Sequence, residues 1–184
     1  MLTLILEIYD YVILSLLLIY FAVLLYLKHR GTEIVVPKLD KRTEFRVESR
    51  DATSITLSTV VPFANEGKQS ALIVDAIVKP QLPFEQYDGI AVRGKAEREG
   101  VPREDDYFEA LVLEHQQSFN FVAKVTLTAR KGMTLEEALS HMVDFPVEII
   151  YREVGRHPMH FSIARIMLTT EELSRVTGVK IIND

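Results

Sequence analysis

The chain of 184 residues contains no cysteine and no tryptophan. The lack of cysteine excludes disulfide bonds, thiolate metal ligands and cysteine nucleophiles. The chain also lacks an excess of positive charge, since 21 Lys and Arg are outnumbered by 26 Asp and Glu, and the formal net charge is −5. This balance argues against a nucleic acid as the main partner.

Common phosphate-binding and catalytic motifs are missing as well. Neither G-x-x-x-x-G-K-[ST] nor G-x-G-x-x-G occurs, so the sequence predicts no phosphate-binding loop. The serines that could act as nucleophiles, Ser118, Ser140 and Ser162, do not lie in a G-x-S-x-G turn. No calcium loop with oxygen ligands at alternating positions is present. We therefore expect the chain to be no enzyme and to need no cofactor.

Histidine is the remaining candidate for metal chemistry. His157 and His160 flank Pro158 and Met159, and His115 or His141 could join them in space. Zinc sites usually show tighter spacing, such as H-E-x-x-H, and no such pattern occurs here. The sequence favours a turn with solvated histidines over a metal site.

One long apolar run dominates the N-terminal part of the chain. Tyr11 to Leu27 contains no charged residue, and the ten residues before it are mostly apolar. A run of this length is at the lower limit for a spanning helix. No Lys or Arg precedes it and no small-x-small cleavage site follows, which disfavours a secretory signal peptide. We predict a transmembrane anchor over residues 1–28.

Positive charge lies on the C-terminal side of this run only. The positive-inside rule then places the N-terminus outside and the rest of the chain in the cytoplasm, anchored in the cytoplasmic (inner) membrane. Basic residues near the membrane also suit anionic lipid headgroups. The predicted headgroup contacts are Lys28, Arg30, Lys38, Lys41 and Arg42.

Two acidic residues lie at the opposite end of the anchor. Glu7 and Asp10 are three residues apart and share one helical face. They either sit at the water interface or contact a basic side chain or a cation on a partner helix within the membrane.

Residues 29–44 are predicted to form a basic juxtamembrane linker. Gly31 and Pro37 interrupt regular structure there, and only Glu33 to Val36 suggests a short extended piece. Residues 45–184 are predicted to form the folded domain.

Alternation of apolar and polar residues characterises this domain. From Phe119 to Ala129 every second residue is apolar, which is typical of a half-buried strand. No long helix separates the predicted strands, so an antiparallel sandwich is favoured over a βαβ fold. The other predicted strands are Phe45–Ser49, Ser54–Phe63, Ala71–Val78, Gly89–Glu97, Tyr107–His115, Pro146–Val154 and His160–Leu168.

Two short helices are predicted between and after these strands. Thr134–Met142 and Thr169–Val176 both begin with the spacing of a capping box, in which Thr and Glu satisfy the first free amides. Gly178 is predicted to end the second helix. We expect the first helix to cross from one sheet to the other.

The segment Val60–Gly67 reads Val-Val-Pro-Phe-Ala-Asn-Glu-Gly. It resembles the strand–Asn-x-Gly–strand openings of immunoglobulin-like β-sandwich domains, and this resemblance implies fold only. The predicted fold class is therefore mainly β, with one N-terminal transmembrane helix, an immunoglobulin-like antiparallel β-sandwich and two short helices. Residues 93–106, which include Asp105 and Asp106, are predicted to be a solvated loop or a docking element.

These features favour a membrane-anchored protein-interaction domain, acting as an accessory or assembly subunit of a membrane complex. Its expected partners are membrane lipids and other subunits of such a complex. The alternative is a lipid or small-ligand binding module held near the bilayer, because two sheets can open to admit an apolar molecule.

Overall fold

The computed structural model describes residues 2–102, 104 and 107–182, with side chains from Glu7 onwards. Its described helices are α1 Leu2–Arg30, α2 Leu135–Ser140 and α3 Thr170–Thr177, with a 3₁₀ turn at Leu39–Lys41. Its described strands are β1 Val35–Pro37, β2 Arg46–Arg50, β3 Ser54–Asn65, β4 Ala71–Pro80, β5 Ile90–Arg98, β6 Leu111–Leu113, β7 Ser118–Ala129, β8 Phe145–Val154 and β9 His160–Leu168.

The strands form two antiparallel sheets. Sheet A has the order β1-β3-β7-β5, and β2 also pairs with β3. Sheet B has the order β6-β4-β8-β9. The predicted fold class is confirmed in its mainly β character, its antiparallel sandwich, its single N-terminal apolar helix and its two short helices.

Helix α1 is apolar on all sides and stands apart from the sandwich. Its segment Glu7–Arg30 has 24 residues and is long and apolar enough to cross a membrane, and none of its most apolar stretch is buried. The helix ends at Arg30 because Gly31 adopts a left-handed conformation with φ 66°, which glycine tolerates best.

Aromatic rings fill part of the space between the sheets. The Phe63 ring of sheet A lies 5.3 Å from that of Phe121 and 5.2 Å from the Tyr151 ring of sheet B. Phe108 extends the cluster, with its ring 5.5 Å from that of Phe121. Burial of these rings, together with the aliphatic side chains of the core, holds the two sheets together. The alternative of a ligand between the sheets stays a prediction.

Both short helices begin at the predicted threonines. The Thr134 hydroxyl accepts from the Glu137 N–H at 3.2 Å, and the Thr169 hydroxyl accepts from the Glu172 N–H at 3.1 Å. Helix α2 connects β7 of sheet A with β8 of sheet B, as expected. Gly178 ends α3 in a left-handed conformation with φ 74°.

Three details differ from the sequence predictions. The strand predicted over Tyr107–His115 is only three residues long, and its pairing ends at Ile73, just before β4 bulges. Sheet A begins before Phe45, since Val35–Pro37 pairs with the end of β3 within the predicted linker. Strand β5 continues to Arg98, so the loop begins later than residue 93. Asp105 and Asp106 lie outside the described residues.

Candidate functional site

Four chain segments meet where α1 ends, and we call this region the junction. It comprises residues 31–34, the turn 65–69 after β3, the turn 114–117 before β7, and the tip 155–157 between β8 and β9. The carbonyl groups in the last turn of a helix have no partner within the helix. Here the Arg30 carbonyl accepts from Gln69 Nε2 at 2.9 Å, and the Gly31 carbonyl just beyond it accepts from Arg156 Nη1 at 3.0 Å.

The Glu33 carboxylate is the centre of one half of the junction. Glu33 is 4% exposed. Its carboxylate accepts from the backbone amides of Arg156 and His157, both at 2.9 Å. Burial opposes ionisation of this group, but these amide bonds outweigh it and hold the Glu33 pKa at about 2. A buried carboxylate with donated amide bonds thus fixes the β8–β9 tip to the chain that leaves α1.

Asn65 organises the other half of the junction. Its side-chain oxygen accepts from the amides of Ile34 at 3.2 Å and Gly67 at 3.0 Å. Its side-chain nitrogen donates to the carbonyls of Gln69 at 2.7 Å, Leu113 at 3.0 Å and Glu114 at 3.2 Å. Asn65 is 1% exposed, so one buried amide joins β1, the β3–β4 turn and the β6–β7 turn.

Two glycines allow the close approach of these segments. A Cβ at Gly67 would collide with the backbone between Thr32 and Ile34. A Cβ at Gly155 would collide with the Glu33 carboxylate. The turn at Gly67 therefore needs glycine because the backbone of another segment occupies the space of a side chain, whereas a side chain at position 155 would displace the Glu33 carboxylate from its amide bonds.

Cationic side chains surround the end of α1. Lys28 and Arg30 lie in its last turn and are exposed. Lys68 reaches the same turn, since its Nζ donates to the His29 carbonyl at 3.3 Å. With Arg156, four cations lie around the end of α1, and two of them come from turns that are distant in sequence. Lys68 and Arg156 were not predictable from the sequence, because no linear charge pattern connects them with the anchor.

The other three predicted headgroup contacts lie farther along the chain. Lys38 forms an ion pair with Glu66. Lys41 is exposed in the 3₁₀ turn. Arg42 binds both carboxylate oxygens of Glu172, at 3.1 and 2.9 Å. Of the five predicted headgroup contacts, the structure places only Lys28 and Arg30 in the last turn of α1. The assignment of all five to lipid headgroups stays a prediction.

The Arg42–Glu172 pair connects the chain after β1 to α3. Burial raises the pKa of Glu172, but the Arg42 guanidinium and the Phe45 amide lower it by a larger amount. The pKa is therefore below its ordinary value, and the carboxylate stays ionised. In α3 only the threonine half of the predicted capping box forms, because the Glu172 carboxylate binds Arg42 and, at 2.9 Å, the Phe45 N–H.

Replacement of Arg42 by alanine should lower the free energy of unfolding by about 2 kcal/mol, because Glu172 then remains buried without its bidentate ion-pair partner. Lys41→Ala is the matched control, since Lys41 is exposed, and should change stability by less than about 0.5 kcal/mol. Urea unfolding of the full chain in detergent, followed by circular dichroism, measures both. Equal stability of the two variants would show that the pair contributes nothing.

The acidic and histidine candidates occupy different parts of the molecule. Glu7 and Asp10 are exposed near the start of α1. His157 Nδ1 lies 3.2 Å from the Glu33 carboxylate, and His160 Nε2 lies 3.5 Å from that of Glu153. No group of three or more His, Asp or Glu within the described part of the chain could hold a metal ion.

A second candidate surface lies on the outer face of sheet B, along its edge strand β9. Phe161, Ile163 and Met167 point outward and are 67%, 60% and 44% exposed. Ile163 lies beside Ile150 of β8, which lies beside Ile77 of β4, and Ile77 is itself 50% exposed. We call this surface the β9 face. It comprises the row formed by Ile77, Ile150 and Ile163 and the other outward side chains of β9, which are Phe161, Arg165 and Met167. Exposed apolar surface of this kind usually marks a contact with another molecule.

Ion pairs separate the apolar side chains of the β9 face. Arg152 binds Asp75 at 2.9 Å and its guanidinium lies 5.2 Å from the centre of the Phe161 ring. Arg165 binds Glu148 at 2.7 Å. The β9 face is thus a striped surface in which apolar and charged rows alternate along the strand.

Comparison with known proteins gives only distant similarity. No protein-family model matches the chain, and no curated protein does. The GAE domain of GGA2p from Saccharomyces cerevisiae is 10% identical, with 74% of this chain and 96% of that chain covered and a TM-score of 0.34. The GAE domain of yeast GGA1 is 9% identical, with 71% and 100% covered and a TM-score of 0.35. Neither similarity bears on the function of this chain.

Proposed function

We propose that the chain is a single-pass membrane protein whose β-sandwich is held in a fixed position beside the bilayer. In this position it acts as a protein-interaction domain, as an accessory or assembly subunit of a membrane complex. The N-terminus lies outside and the sandwich lies in the cytoplasm, because all cations near α1 are on its C-terminal side.

The junction is the observation that carries this proposal. A flexible tether would leave the sandwich free to rotate, whereas here side chains from two turns bind the backbone at the end of α1. Glu33 and Asn65 then fix the first residues after the helix to three different turns. A preorganised domain presents its surface to a membrane neighbour without the entropic cost of ordering it on binding.

Membrane lipids are the second expected partner. Lys28, Arg30, Lys68 and Arg156 surround the point at which the chain leaves the apolar helix. Each basic residue near an anionic surface contributes about 1 kcal/mol of attraction. Tyr26 in the same helix supports the assignment, since tyrosine is frequent at the membrane interface.

Alkaline carbonate extraction of membranes tests the anchor. We expect the full chain to remain in the membrane pellet, with an intact mass that includes residues 2–30. Release into the supernatant, or a mature mass without α1, would contradict a permanent anchor. C-terminal reporters that are active only in the cytoplasm or only outside test the orientation, and a signal from the outside reporter would reverse it.

Native electrophoresis in a mild detergent tests the subunit role. We expect the chain to migrate in a complex with another membrane protein. A chain that stays monomeric and copurifies with nothing would contradict the accessory role while leaving the anchor unaffected.

A further inference from the structure

We propose that β9 is a docking edge, to which an extended segment of a partner protein adds as a further strand of sheet B. This inference rests on the proposed function, because it specifies how the interaction domain binds. The occupant has apolar side chains at alternate positions and an acidic side chain opposite Arg165.

The backbone of β9 is available for pairing. Strand β9 is the last strand of sheet B and has nine residues. Within the described part of the chain, no backbone group hydrogen-bonds to its free side. Natural edge strands are usually short, charged or interrupted by proline, which prevents such pairing. Strand β9 contains no proline, and its outward residues are apolar except for Arg165.

The side chains of the β9 face define what an added strand must carry. Ile77, Ile150 and Ile163 form one row across three strands, so an apolar residue at the same level on a fourth strand would extend it. Phe161 and Met167 offer the same kind of contact two residues before and four residues after Ile163. Cross-strand apolar pairs of this kind are the usual source of side-chain affinity in strand addition.

The charge of the β9 face indicates that the partner segment carries an acidic residue opposite Arg165. Arg165 is 64% exposed on its side chain and donates from Nε and Nη2 to Glu148 Oε1. Glu148 is nearly buried and also accepts from Gln81 at 2.9 Å. The remaining face of the guanidinium is open to solvent beside the free edge, where a carboxylate would be attracted.

The membrane does not suit this surface. Strand β9 begins three residues after His157 at the junction and runs away from α1. Met167 lies six residues beyond Phe161, which is roughly 20 Å along the strand. Unpaired backbone groups and two ion pairs would also be costly in hydrocarbon.

A second copy of the chain is also a poor occupant. Antiparallel pairing of two β9 strands would place the His160 end of one beside the Leu168 end of the other. The two α1 helices would then lie at opposite ends of the dimer and could not enter one membrane. A partner of different sequence has no such constraint.

Selection from a random linear peptide library tests the proposal. The target is the full chain in nanodiscs of phosphatidylcholine and phosphatidylglycerol, with empty nanodiscs for counter-selection. We expect selected peptides with alternate apolar residues and an acidic residue between them. Ile163→Lys should weaken their binding at least about tenfold, since it removes an anchor of the β9 face. Val112→Lys, with similar exposure on β6 at the opposite edge of the same sheet, should change binding less than about twofold.

Peptide backbone methylation distinguishes strand addition from side-chain contact alone. Only every second amide of an added strand faces β9, so N-methylation of one alternate set should abolish binding and methylation of the other should not. Hydrogen exchange should slow at alternate amides of β9 when the peptide is added. Unchanged urea midpoints of both lysine variants show that the fold is intact.

Several results would overturn the docking edge. These are no selection above empty nanodiscs, equal binding to Ile163→Lys, equal binding of both methylated peptides, or unchanged exchange in β9. A dimer of the chain that Ile163→Lys dissociates would assign the edge to a second copy and overturn it too. None of these results alters carbonate extraction or the complex seen on native gels, so failure of the docking edge is distinct from failure of the subunit role.

Discussion

Replacement of Glu33 by glutamine is expected to lower the free energy of unfolding at neutral pH by about 3 kcal/mol. The carboxylate is 4% exposed and its two oxygens each accept a backbone amide. Glutamine has the same size but offers one oxygen and one N–H group. One of the two amides, of Arg156 or of His157, would then face a donor and lose its bond.

The effect should depend on pH in a defined direction. The pKa of Glu33 is about 2 in the folded chain, against an ordinary value of 4.5. A depressed folded-state pKa stabilises the fold fully above the ordinary pKa, and this contribution falls as pH decreases from about 4.5 towards 2. The stability difference between the wild-type chain and Glu33→Gln should therefore shrink over this range.

Urea unfolding of the full chain in detergent at a series of pH values measures this difference. Glu66→Gln is a control within the junction, because the Glu66 side chain is 53% exposed and its ion pair with Lys38 lies at the surface. It should change stability by less than about 1 kcal/mol at every pH. If Glu33→Gln follows the wild-type curve throughout, the junction does not depend on this carboxylate.

Local patterns in the sequence were sufficient to predict most of the fold. Alternation located β3, β7 and β9 to within two residues, because each strand has one face in the core. Threonine followed by acidic residues located the starts of α2 and α3, because capping is a contact between neighbours in sequence. The extent of β6 was not predictable in this way, since it depends on where β4 bulges.

The candidate site depends on contacts between residues that are far apart in sequence. Glu33 binds amides 123 and 124 residues away, and Arg42 binds a carboxylate 130 residues away. In the sequence both belonged to a charged linker, and nothing local indicated a buried partner. The number of basic residues near the anchor likewise led to a prediction that Arg42 and Lys28 share one role. In the fold, Arg42 binds Glu172 of α3, and Lys68 instead lies at the end of α1.

The Asn65-Glu-Gly67 signal shows both what the sequence reveals and what it leaves open. The pattern correctly predicted a turn after β3. The Asn65 side chain also reaches the carbonyls of Leu113 and Glu114, which requires the β6–β7 turn to lie beside it. A turn residue identified locally is therefore also the connection between three segments of the junction.

Asn65→Ala is consequently expected to lower the free energy of unfolding by about 3 kcal/mol, because it leaves several buried amides and carbonyls without partners. Asn120→Ala is the matched control: Asn120 is exposed and donates to Glu99 at 2.6 Å on the surface, so its loss should matter by less than about 0.5 kcal/mol. Urea unfolding gives both values.

Hydrogen exchange of the folded chain extends this test to the junction itself. In Asn65→Ala the amides of Ile34 and Gly67, which the side chain holds in the wild-type chain, should exchange faster than those of the β3–β7 ladder. The sandwich would then stay folded while its attachment to α1 loosens. If both amides keep their protection and the stability changes by less than about 0.5 kcal/mol, Asn65 does not hold the junction together, and the fixed position of the sandwich beside the membrane loses its main structural support.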